Sequence, residues 1–364
     1  MAALGDPARF APAFNKLVML KPHGRYRTFR TAMVFKPGYC DHFLAAILGI
    51  PKRSHHEPLT QIHFDLAAAL QAKLEEVLFS LVRRLRELSS SRNLCLAGGV
   101  FLNSVANGKI RRSGLFDRVH IPPVPGDHGA ALGAAASAYY ALSGAQRRDM
   151  HFTPFAGPAY SEQEIEAALH AAAPNVHHRR SDNIADDTAE LLAKGQIIGW
   201  FQGGAEYGPR ALGHRSILAD PRRADMKDLV NERIKHREQF RPFAGAIPLE
   251  VAPRYFEVGS DGGKGESPYM QFVVPVTDEG RKSVPAVVHN GTCRVQTVAR
   301  EADPLFHQLL ESFGSRTGVP IVLNTSFNDR DEPIVCSPAD AVRTFLKTDL
   351  DALAIGPFLV TKKG

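Results

Sequence analysis

The sequence of 364 residues has few cysteines and no long apolar run. Its four cysteines, Cys40, Cys95, Cys293 and Cys336, are scattered without a Cys-x-x-Cys pair, so neither a disulfide framework nor a zinc knuckle is indicated. The N-terminus has no charged segment followed by an apolar one, and no apolar run reaches the roughly 18 residues that a membrane helix needs. These absences predict a soluble protein of the reducing cytoplasm that does not bind membranes.

Neither sign of charge dominates the sequence. Its 44 Lys and Arg residues against 38 Asp and Glu give a net charge of +6, which admits nucleic acid, anionic metabolites or only a soluble surface. Basic residues do not alternate with aromatic ones in the way typical of single-strand binding, so nucleic acid is not expected as a partner. A hydrophobic content of 44% over this length predicts two packed domains.

One long helix is predicted near the N-terminus. Apolar residues recur there at three- and four-residue spacings, which is typical of one face of a scaffold helix. They are Phe64, Leu70, Leu74, Val77, Leu78, Leu81, Leu85 and Leu88.

The second half alternates predicted strands and helices, which favours an α/β or α+β domain. Apolar runs at 196–201, 318–324 and 351–360 predict strands. Ser161 with Glu164 forms a capping-box pattern, and Ser337 before a proline begins a helix that runs through Leu346. The segment 150–160 has two prolines and a glycine without periodicity, so the boundary between residues 1–150 and 151–364 is placed there.

Two glycine features in the first half are candidates for ligand contact. A short apolar run ends at Gly98 and Gly99, where backbone N–H groups could approach an anion, although a plain tight turn is the alternative. Asp127 follows Gly126 and opens a helix of small residues that is suited to close packing against a neighbour. Its carboxylate is either a helix cap or a ligand that faces the same cleft as the two glycines.

Basic residues in the second half predict a site for a polyanionic small molecule. Guanidinium groups match phosphate and carboxylate oxygens in pairs, and lysine adds a point charge. The candidates are Arg210, Arg215, Lys235, Arg237, Arg241 and Arg294. The alternative for each is an ion pair with a nearby acid such as Glu206 or Glu238, and Arg215 stays open between the two. Asn324, Ser326 and Asn328 follow as further donors to the anion, or as a simple turn.

Six segments in order resemble the carbamoyltransferases of the nodulation and antibiotic-tailoring type. They are "CLAGGVFLNSVANGKI", "GDHGAALGAA", "EYGPRALGHRSILADP", "NERIKHREQFRPFA", "GTCRVQTV" and "NTSFNDRDEPIVCSPADA". The resemblance extends over nearly the whole chain. It implies an α/β protein in which residues 1–150 form the second lobe of an actin-like (ASKHA) domain, followed over 151–364 by a YrdC-like domain similar to threonylcarbamoyl-adenylate synthases.

The family's chemistry implies two sites in this sequence. The C-terminal domain would use carbamoyl phosphate, ATP and Mg²⁺ to make carbamoyl adenylate, releasing phosphate and pyrophosphate. The actin-like domain would transfer the carbamoyl group to a hydroxyl of a small molecule. By resemblance, the carbamoyl-phosphate and adenylation positions are Arg210, Lys235, Arg241, Arg294 and Ser326. Gly98, Gly99 and Asn103 match the nucleotide-binding turn, and Asp127 matches a ligand of the family's Fe²⁺.

Three positions depart from the family's pattern. Gly204 stands where the family usually has an arginine, so one cation is absent beside the adenylation pocket. The usual "HVDGT" is "HNGT" around His289, and Asp331 replaces the glycine before "EP". Together they put the rate of the reaction in doubt.

The first actin-like lobe of the family, with its His-x-x-x-His metal motif, has no counterpart in the sequence. In "HHEPLTQIH", six residues separate His56 from His63, which is not the spacing that places two imidazoles on one helical face. An incomplete iron site is therefore expected. The alternatives are a fragment, one half of a split gene that needs a complementing N-terminal-lobe chain, or a degenerate homologue that acts as a nucleotide-binding or interaction protein.

Overall fold

The computed structural model describes residues 1–29, 39–54, 56–146, 153–258 and 266–363, with only the backbone described for residues 39 and 40. The chain divides into two compact units. Unit 1 comprises Met1–Leu94 and Lys109–Asp117, and unit 2 comprises Cys95–Gly108 and Arg118–Gly364. Helices and strands are mixed, as the α/β prediction required. Over the described ranges, no helix combines the length and the apolar character needed to cross a membrane.

Unit 1 is mainly helical. It contains α1 (Ala11–Leu17), α2 (Tyr39–Leu48) and α3 (Gln61–Leu88), together with β1 (Val18–Leu20), which pairs antiparallel with β2 (Tyr26–Thr28). Helix α3 confirms the predicted long helix. It packs against residues 2–9 and α1, where Phe10 and Phe14 cluster with the small Ala69 side chain.

The face that α3 buries differs from the predicted one. Asp65, Ala69 and Lys73 are buried in its first half, and Leu78 and Val82 in its second half. Four leucines of the predicted apolar face are instead exposed, namely Leu70 (57%), Leu81 (37%), Leu85 (47%) and Leu88 (64%). Leucine periodicity identified Leu78 but not the rest of the buried face, because a small residue allows the N-terminal segment to approach α3 more closely than a leucine would.

Unit 2 is built on a nine-stranded mixed sheet with the order β5-β13-β12-β6-β7-β11-β8-β10-β9. These strands are β5 (Val176–Arg180), β6 (Ile198–Phe201), β7 (Arg215–Ala219), β8 (Ala244–Pro248), β9 (Val273–Pro275), β10 (Thr292–Val298), β11 (Val322–Ser326), β12 (Ala352–Ile355) and β13 (Phe358–Lys362). The pairs β10–β8 and β12–β6 are parallel, and the other pairs are antiparallel. Two short strands precede the sheet in sequence, β3 (Asn93–Cys95) and β4 (Arg118–His120).

Further helices follow α3 along the chain. They are α4 (Ser104–Arg112), α5 (Asp127–Ser143), α6 (Glu162–Ala171), α7 (Ile184–Ala193), α8 (Met226–Arg233), α9 (Ala252–Tyr255), α10 (Asp278–Ser283), α11 (Pro304–Thr317) and α12 (Pro338–Lys347). Helices α7 and α11 pack together, and Phe306 and Phe313 of α11 lie in one core cluster with Trp200 of β6. Helix α12 contacts α6, β6 and β12.

The local signals for helix starts are confirmed. Ser161 with Glu164 closes a capping box at α6, and Ser337 with Asp340 closes one at α12. The strands predicted at 196–201 and 318–324 correspond to β6 and β11. The last apolar stretch forms two strands instead of one, because Gly356 takes a φ of +51° and reverses the chain between β12 and β13.

Helix α5 is apolar yet unburied. None of its 17 residues is buried, and Tyr139 and Leu142 are 61% and 89% exposed. Its small residues were expected to pack closely against a neighbour. Within the described ranges, that neighbour does not cover the helix, so α5 presents an apolar surface.

Candidate functional site

Three neighbouring strands place polar side chains in one row of the sheet. Arg294 of β10 lies opposite Ala244 of β8, and Ala244 lies opposite Asn324 of β11. Gln296 lies two residues after Arg294 and therefore on the same face of β10. Its side chain accepts a hydrogen bond from Asn324 Nδ2 at 2.8 Å. The sheet thus brings together residues that are far apart in sequence.

Arg294 carries an uncompensated charge. Its Nε is buried without a hydrogen-bond partner, and no carboxylate of the described residues forms an ion pair with it. The pKa of Arg294 is lowered to about 9, mainly by burial and also by repulsion from the charge of Arg210. A half-buried guanidinium whose Nε is buried without a partner is energetically unfavourable, so this position is suited to an anionic ligand.

Lys235 lies just after α8 and is 5% exposed. Its Nζ donates to the carbonyl oxygen of Ser326 at 2.5 Å, and to the carbonyl and Oδ1 of Asn328 at 2.9 and 2.8 Å. Burial lowers the pKa of Lys235 to about 7, and repulsion by Arg237 adds to the effect. Lys235 therefore titrates near neutral pH.

Arg210 and Arg237 complete the group. Arg210 lies in the loop between β6 and β7, where burial lowers its pKa, and its Nη2 donates to the carbonyl of Leu102 at 3.3 Å. The guanidinium of Arg237 lies 4.7 Å from the ring centre of Phe243, and burial lowers its pKa to about 10. We call Arg210, Lys235, Arg237 and Arg294 the cation cluster. Across the described ranges, none of the four forms an ion pair with a carboxylate.

The other predicted residues lie around the cation cluster in different roles. Arg241 pairs with Glu238 at 3.0 Å, and its side chain is 52% exposed. Ser326 Oγ donates to Asn328 Oδ1 at 2.7 Å, and both residues accept hydrogen bonds from Lys235. Asn324 Oδ1 is buried without a partner among the described residues.

Arg215, which the sequence left open, is held by backbone. It is fully buried, it donates to the carbonyls of Gln202 at 2.6 Å and Pro158 at 3.0 Å, and it lies 3.6 Å from the ring centre of Phe201. These contacts tie together the strand β6, the segment before α6 and the start of β7. The position is that of a structural arginine.

The loop that carries Arg210 is organised by Glu206. One carboxylate oxygen of Glu206 accepts hydrogen bonds from the N–H groups of Leu212 at 2.7 Å, His214 at 2.9 Å and Arg215 at 3.1 Å. Three backbone donors on one oxygen hold this turn in a single conformation. Sequence reasoning considered Glu206 only as an ion-pair partner, and this role was missed.

The departures at Gly204 and Asp331 have local structural explanations. A Cβ at Gly204 would lie 2.6 Å from the carbonyl oxygen of Phe155, so no side chain fits there without a shift of that segment. Asp331 has a φ of +61°, a conformation that favours glycine and tolerates aspartate, and its side chain is 89% exposed. The carboxylate of Asp331 is therefore solvated, not buried.

Replacement of Gly204 with alanine is expected to destabilise the protein by about 1–3 kcal/mol, because the added methyl group overlaps the backbone at Phe155. Urea unfolding followed by circular dichroism measures this change. Gly133→Ala is the matched control, since its Cβ meets nothing within 4 Å in α5, and it should be neutral or stabilising. Equal stability of the two variants would contradict the crowding at Gly204.

The predicted residues of the first half lie near one another in unit 2. Gly98 has a φ of +112°, and its N–H donates to the carbonyl of Pro125 at 2.6 Å. A Cβ at Gly126 would lie 3.6 Å from Gly99 Cα, so the two glycine turns are adjacent. Asn103 Oδ1 accepts from Ala106 N at 3.1 Å and so caps α4.

A cavity of about 1290 Å³ lies beside these turns. Gly98 and Asp127 line it, whereas Gly99 and Asn103 do not. Its carboxylates are Asp127, Glu266, Glu301 and Asp303, and no lysine or arginine of the described ranges lines it. Gln296 and Leu212 also form its wall and are joined by a hydrogen bond of 2.6 Å. The row of polar residues on β10 therefore runs from the cation cluster to this acidic cavity.

The structure does not assemble a metal set around Asp127. Among the described residues, the ligand atoms of Glu250, His307 and Glu311 lie close enough together to hold a metal ion. Asp127 does not belong to that group. His63 instead accepts from Thr60 N at 3.0 Å and caps α3, and His55 lies outside the described residues. His56 is exposed. The residues present do not fit a complete Fe²⁺ site at Asp127.

Several residues of this region were missed from the sequence. Gln296 could have been found from its two-residue spacing to Arg294 in a predicted strand. His307 and Glu311 have the four-residue spacing of one helical face. Asp303, Glu266 and Glu250 give no local signal, because only the folded chain brings them together.

Comparisons with known proteins match both parts of the chain. The profile described as "Carbamoyltransferase N-terminus" matches residues 2–136, and "Carbamoyltransferase C-terminus" matches residues 189–362. Nodulation protein NolO of Bradyrhizobium diazoefficiens is 42% identical over all of this chain and 65% of its own length. Nodulation protein NolNO of Sinorhizobium fredii is 42% identical over all of this chain and 52% of its own length.

A second group of relatives is matched over less of the chain. Nodulation protein U of Rhizobium tropici is 35% identical over 79% of this chain and 46% of its own length. The chain thus spans about half to two thirds of the length of these curated relatives. A solved structure of full-length HypF, in the phosphate- and nucleotide-bound form, has a TM-score of 0.36 at 17% identity, covering 50% of this chain and 22% of that one.

Proposed function

This chain belongs to the carbamoyltransferase family, and from that premise we propose that the cation cluster binds carbamoyl phosphate and the phosphates of ATP. The observation that carries the proposal is the convergence of Arg210, Lys235, Arg237 and Arg294 without a carboxylate partner among the described residues. Basic side chains with a structural role normally pair with carboxylates. The four side chains of the cation cluster do not, so a bound anion would supply the compensating negative charge.

The proposed first reaction consumes carbamoyl phosphate, ATP and one water molecule, and yields carbamoyl adenylate, phosphate and pyrophosphate. Negative charge develops on phosphate oxygens in each phosphoryl step, and fixed guanidinium groups stabilise it. Arg294 and Arg210 are placed for this role, and Lys235 supplies a further charge that Ser326 and Asn328 hold in position. Mg²⁺ would arrive with the ATP phosphates, whose oxygens are its preferred ligands.

The proposed second reaction takes place in the acidic cavity. A hydroxyl of a small-molecule acceptor attacks the carbamoyl carbon of the adenylate, the carbamate ester forms and AMP leaves. Carboxylates at the cavity wall, such as Asp127, Glu266 and Asp303, are the groups that would accept the hydroxyl proton.

The same proposal assigns a fold and a role to each of the two parts of the chain. Residues 1–150 would contribute the second lobe of an actin-like domain and residues 151–364 a YrdC-like domain, as the family resemblance implies. Gly98 would contact nucleotide at the cavity, and Gly99 and Asn103 would support it from the adjacent turn. No step is assigned to Fe²⁺, because the described residues do not complete a metal set with Asp127.

A complementing polypeptide is the proposed partner. Helix α5 presents an unburied apolar surface beside Asp127. A chain that carries the family's N-terminal lobe would cover α5 and complete the transfer site. The comparisons do not favour the alternative of a degenerate interaction protein.

The test is a product assay with the purified chain, carbamoyl phosphate, ATP and Mg²⁺. We expect pyrophosphate and carbamoyl adenylate in equal amounts, measured by an enzyme-coupled pyrophosphate assay and by chromatography. Absence of both products would overturn the assignment of the cation cluster. In a second arm, the complementing lobe is added with a polyol acceptor, and the expected result is AMP release that requires both chains.

A further inference from the structure

A second group of ligand atoms lies in unit 2 and shares no residue with the cation cluster. Glu250 belongs to the short helical segment Leu249–Val251, and His307 and Glu311 lie one turn apart on α11. One ligand atom from each residue lies within 4.8 Å of the others. The four-residue spacing on α11 points His307 and Glu311 to the same side of the helix.

His307 is the buried centre of this group. Its ring is fully buried, with Nε2 at 2.9 Å from Glu250 Oε1 and Nδ1 at 3.5 Å from Glu311 Oε2. Nδ1 has no hydrogen-bond partner among the described residues. A neutral imidazole has one donor and one acceptor nitrogen, so one nitrogen would face a carboxylate without a proton between them. The nitrogen without a proton has a lone pair that can bind a metal ion.

We propose that Glu250, His307 and Glu311 bind a divalent transition-metal ion, with Zn²⁺ as the ion of highest expected affinity among those tested below. One imidazole and two carboxylates form a nitrogen and oxygen set that suits zinc, and that disfavours Mg²⁺, which takes oxygen ligands. The side chains of Glu250 and Glu311 are 55% and 42% exposed, so they are able to rotate to the roughly 2 Å distance that zinc ligands need.

One neighbouring cation competes for this site. Arg300 pairs with Glu311, and this ion pair must open when the carboxylate binds a metal. Removal of Arg300 should therefore strengthen metal binding. This expectation distinguishes a metal site from a set of ion pairs. In a set of ion pairs, removal of Arg300 would only take away its stabilising contact with Glu311.

The position of the site gives the ion a structural role. Leu249 and Asp303 both line the acidic cavity, and His307 N donates to the carbonyl of Asp303 at 3.0 Å. An ion bound by Glu250 and by α11 would hold these two parts of the cavity wall together. Zinc is therefore expected to raise the melting temperature of the protein.

The test titrates the metal-stripped chain with Zn²⁺ against a metallochromic indicator. We expect one site with micromolar or tighter affinity, and no comparable binding of Mg²⁺. The double variant Glu250→Gln with Glu311→Gln should bind Zn²⁺ at least about 10-fold more weakly, since it keeps the shape of both side chains but removes two anionic ligands. Glu162→Gln with Glu190→Gln is the matched control on exposed carboxylates elsewhere and should bind like the wild type.

Arg300→Ala should tighten Zn²⁺ binding severalfold and leave the melting temperature without metal nearly unchanged. Equal zinc affinity of the wild type and the Glu250/Glu311 variant would overturn the proposal, as would Mg²⁺ binding as tight as Zn²⁺. The first result would show that a proton, and not a metal ion, holds His307 between its carboxylates, and the second would show that the imidazole is not a ligand. The readout is independent of carbamoyl transfer, so failure of the proposed function would not affect it.

Discussion

Arg294→Met lowers the rate of carbamoyl adenylate formation by about 1000-fold, the effect expected when an arginine that stabilises transferring phosphate is removed. The structural basis is the buried Nε without a partner and the lowered pKa of this guanidinium. Methionine fills a similar volume without charge. The initial rate of pyrophosphate release at saturating ATP and carbamoyl phosphate measures the loss.

Stability separates this role from a structural one. Because Arg294 holds a charge that no described carboxylate compensates, Arg294→Met should unfold at the same or a higher urea concentration than the wild type. Arg223→Met is the control, since Arg223 pairs with Asp225 at 2.6 Å on the surface and should affect neither quantity. A large loss of stability with retained activity would show that Arg294 is structural.

Anion affinity should decrease as pH rises through neutrality because of Lys235. Without ligand its pKa is lowered to about 7 by burial, and a bound dianion favours the ammonium form and raises that pKa. The dissociation constant should therefore increase by up to about 10-fold per pH unit between pH 7 and 8.5. Sulfate is the probe, since it keeps both charges over this range, and isothermal titration calorimetry measures its affinity.

Folding stability should change in the opposite direction over the same range. The unfolded chain binds a proton on Lys235 up to its ordinary pKa near 10.4, whereas the folded chain releases it near 7. The contribution of Lys235 to the free energy of unfolding therefore increases with pH between these two pKa values. Lys235→Met should remove both pH dependences. Sulfate affinity in the wild type that is independent of pH would show that Lys235 is not part of the anion site.

The sequence determined the features that depend on neighbours along the chain. The capping box at Ser161, the helix start at Ser337, the strands β6 and β11 and the long helix α3 were predicted from local patterns. Arg210, Lys235 and Arg294 were named as candidates from residue type and motif. Hydrogen bonding and periodicity within a few residues are sufficient for such predictions.

Tertiary structure decided which of these side chains share a site. Arg294 and Asn324 lie in one row only because β10, β8 and β11 are neighbours, and strand order is set by pairing across long sequence separations. The same order buried Arg215 among carbonyls and left Arg241 on the surface. Glu250 meets His307 for the same reason. Charge is encoded locally, but whether a charge finds a partner depends on packing between distant segments.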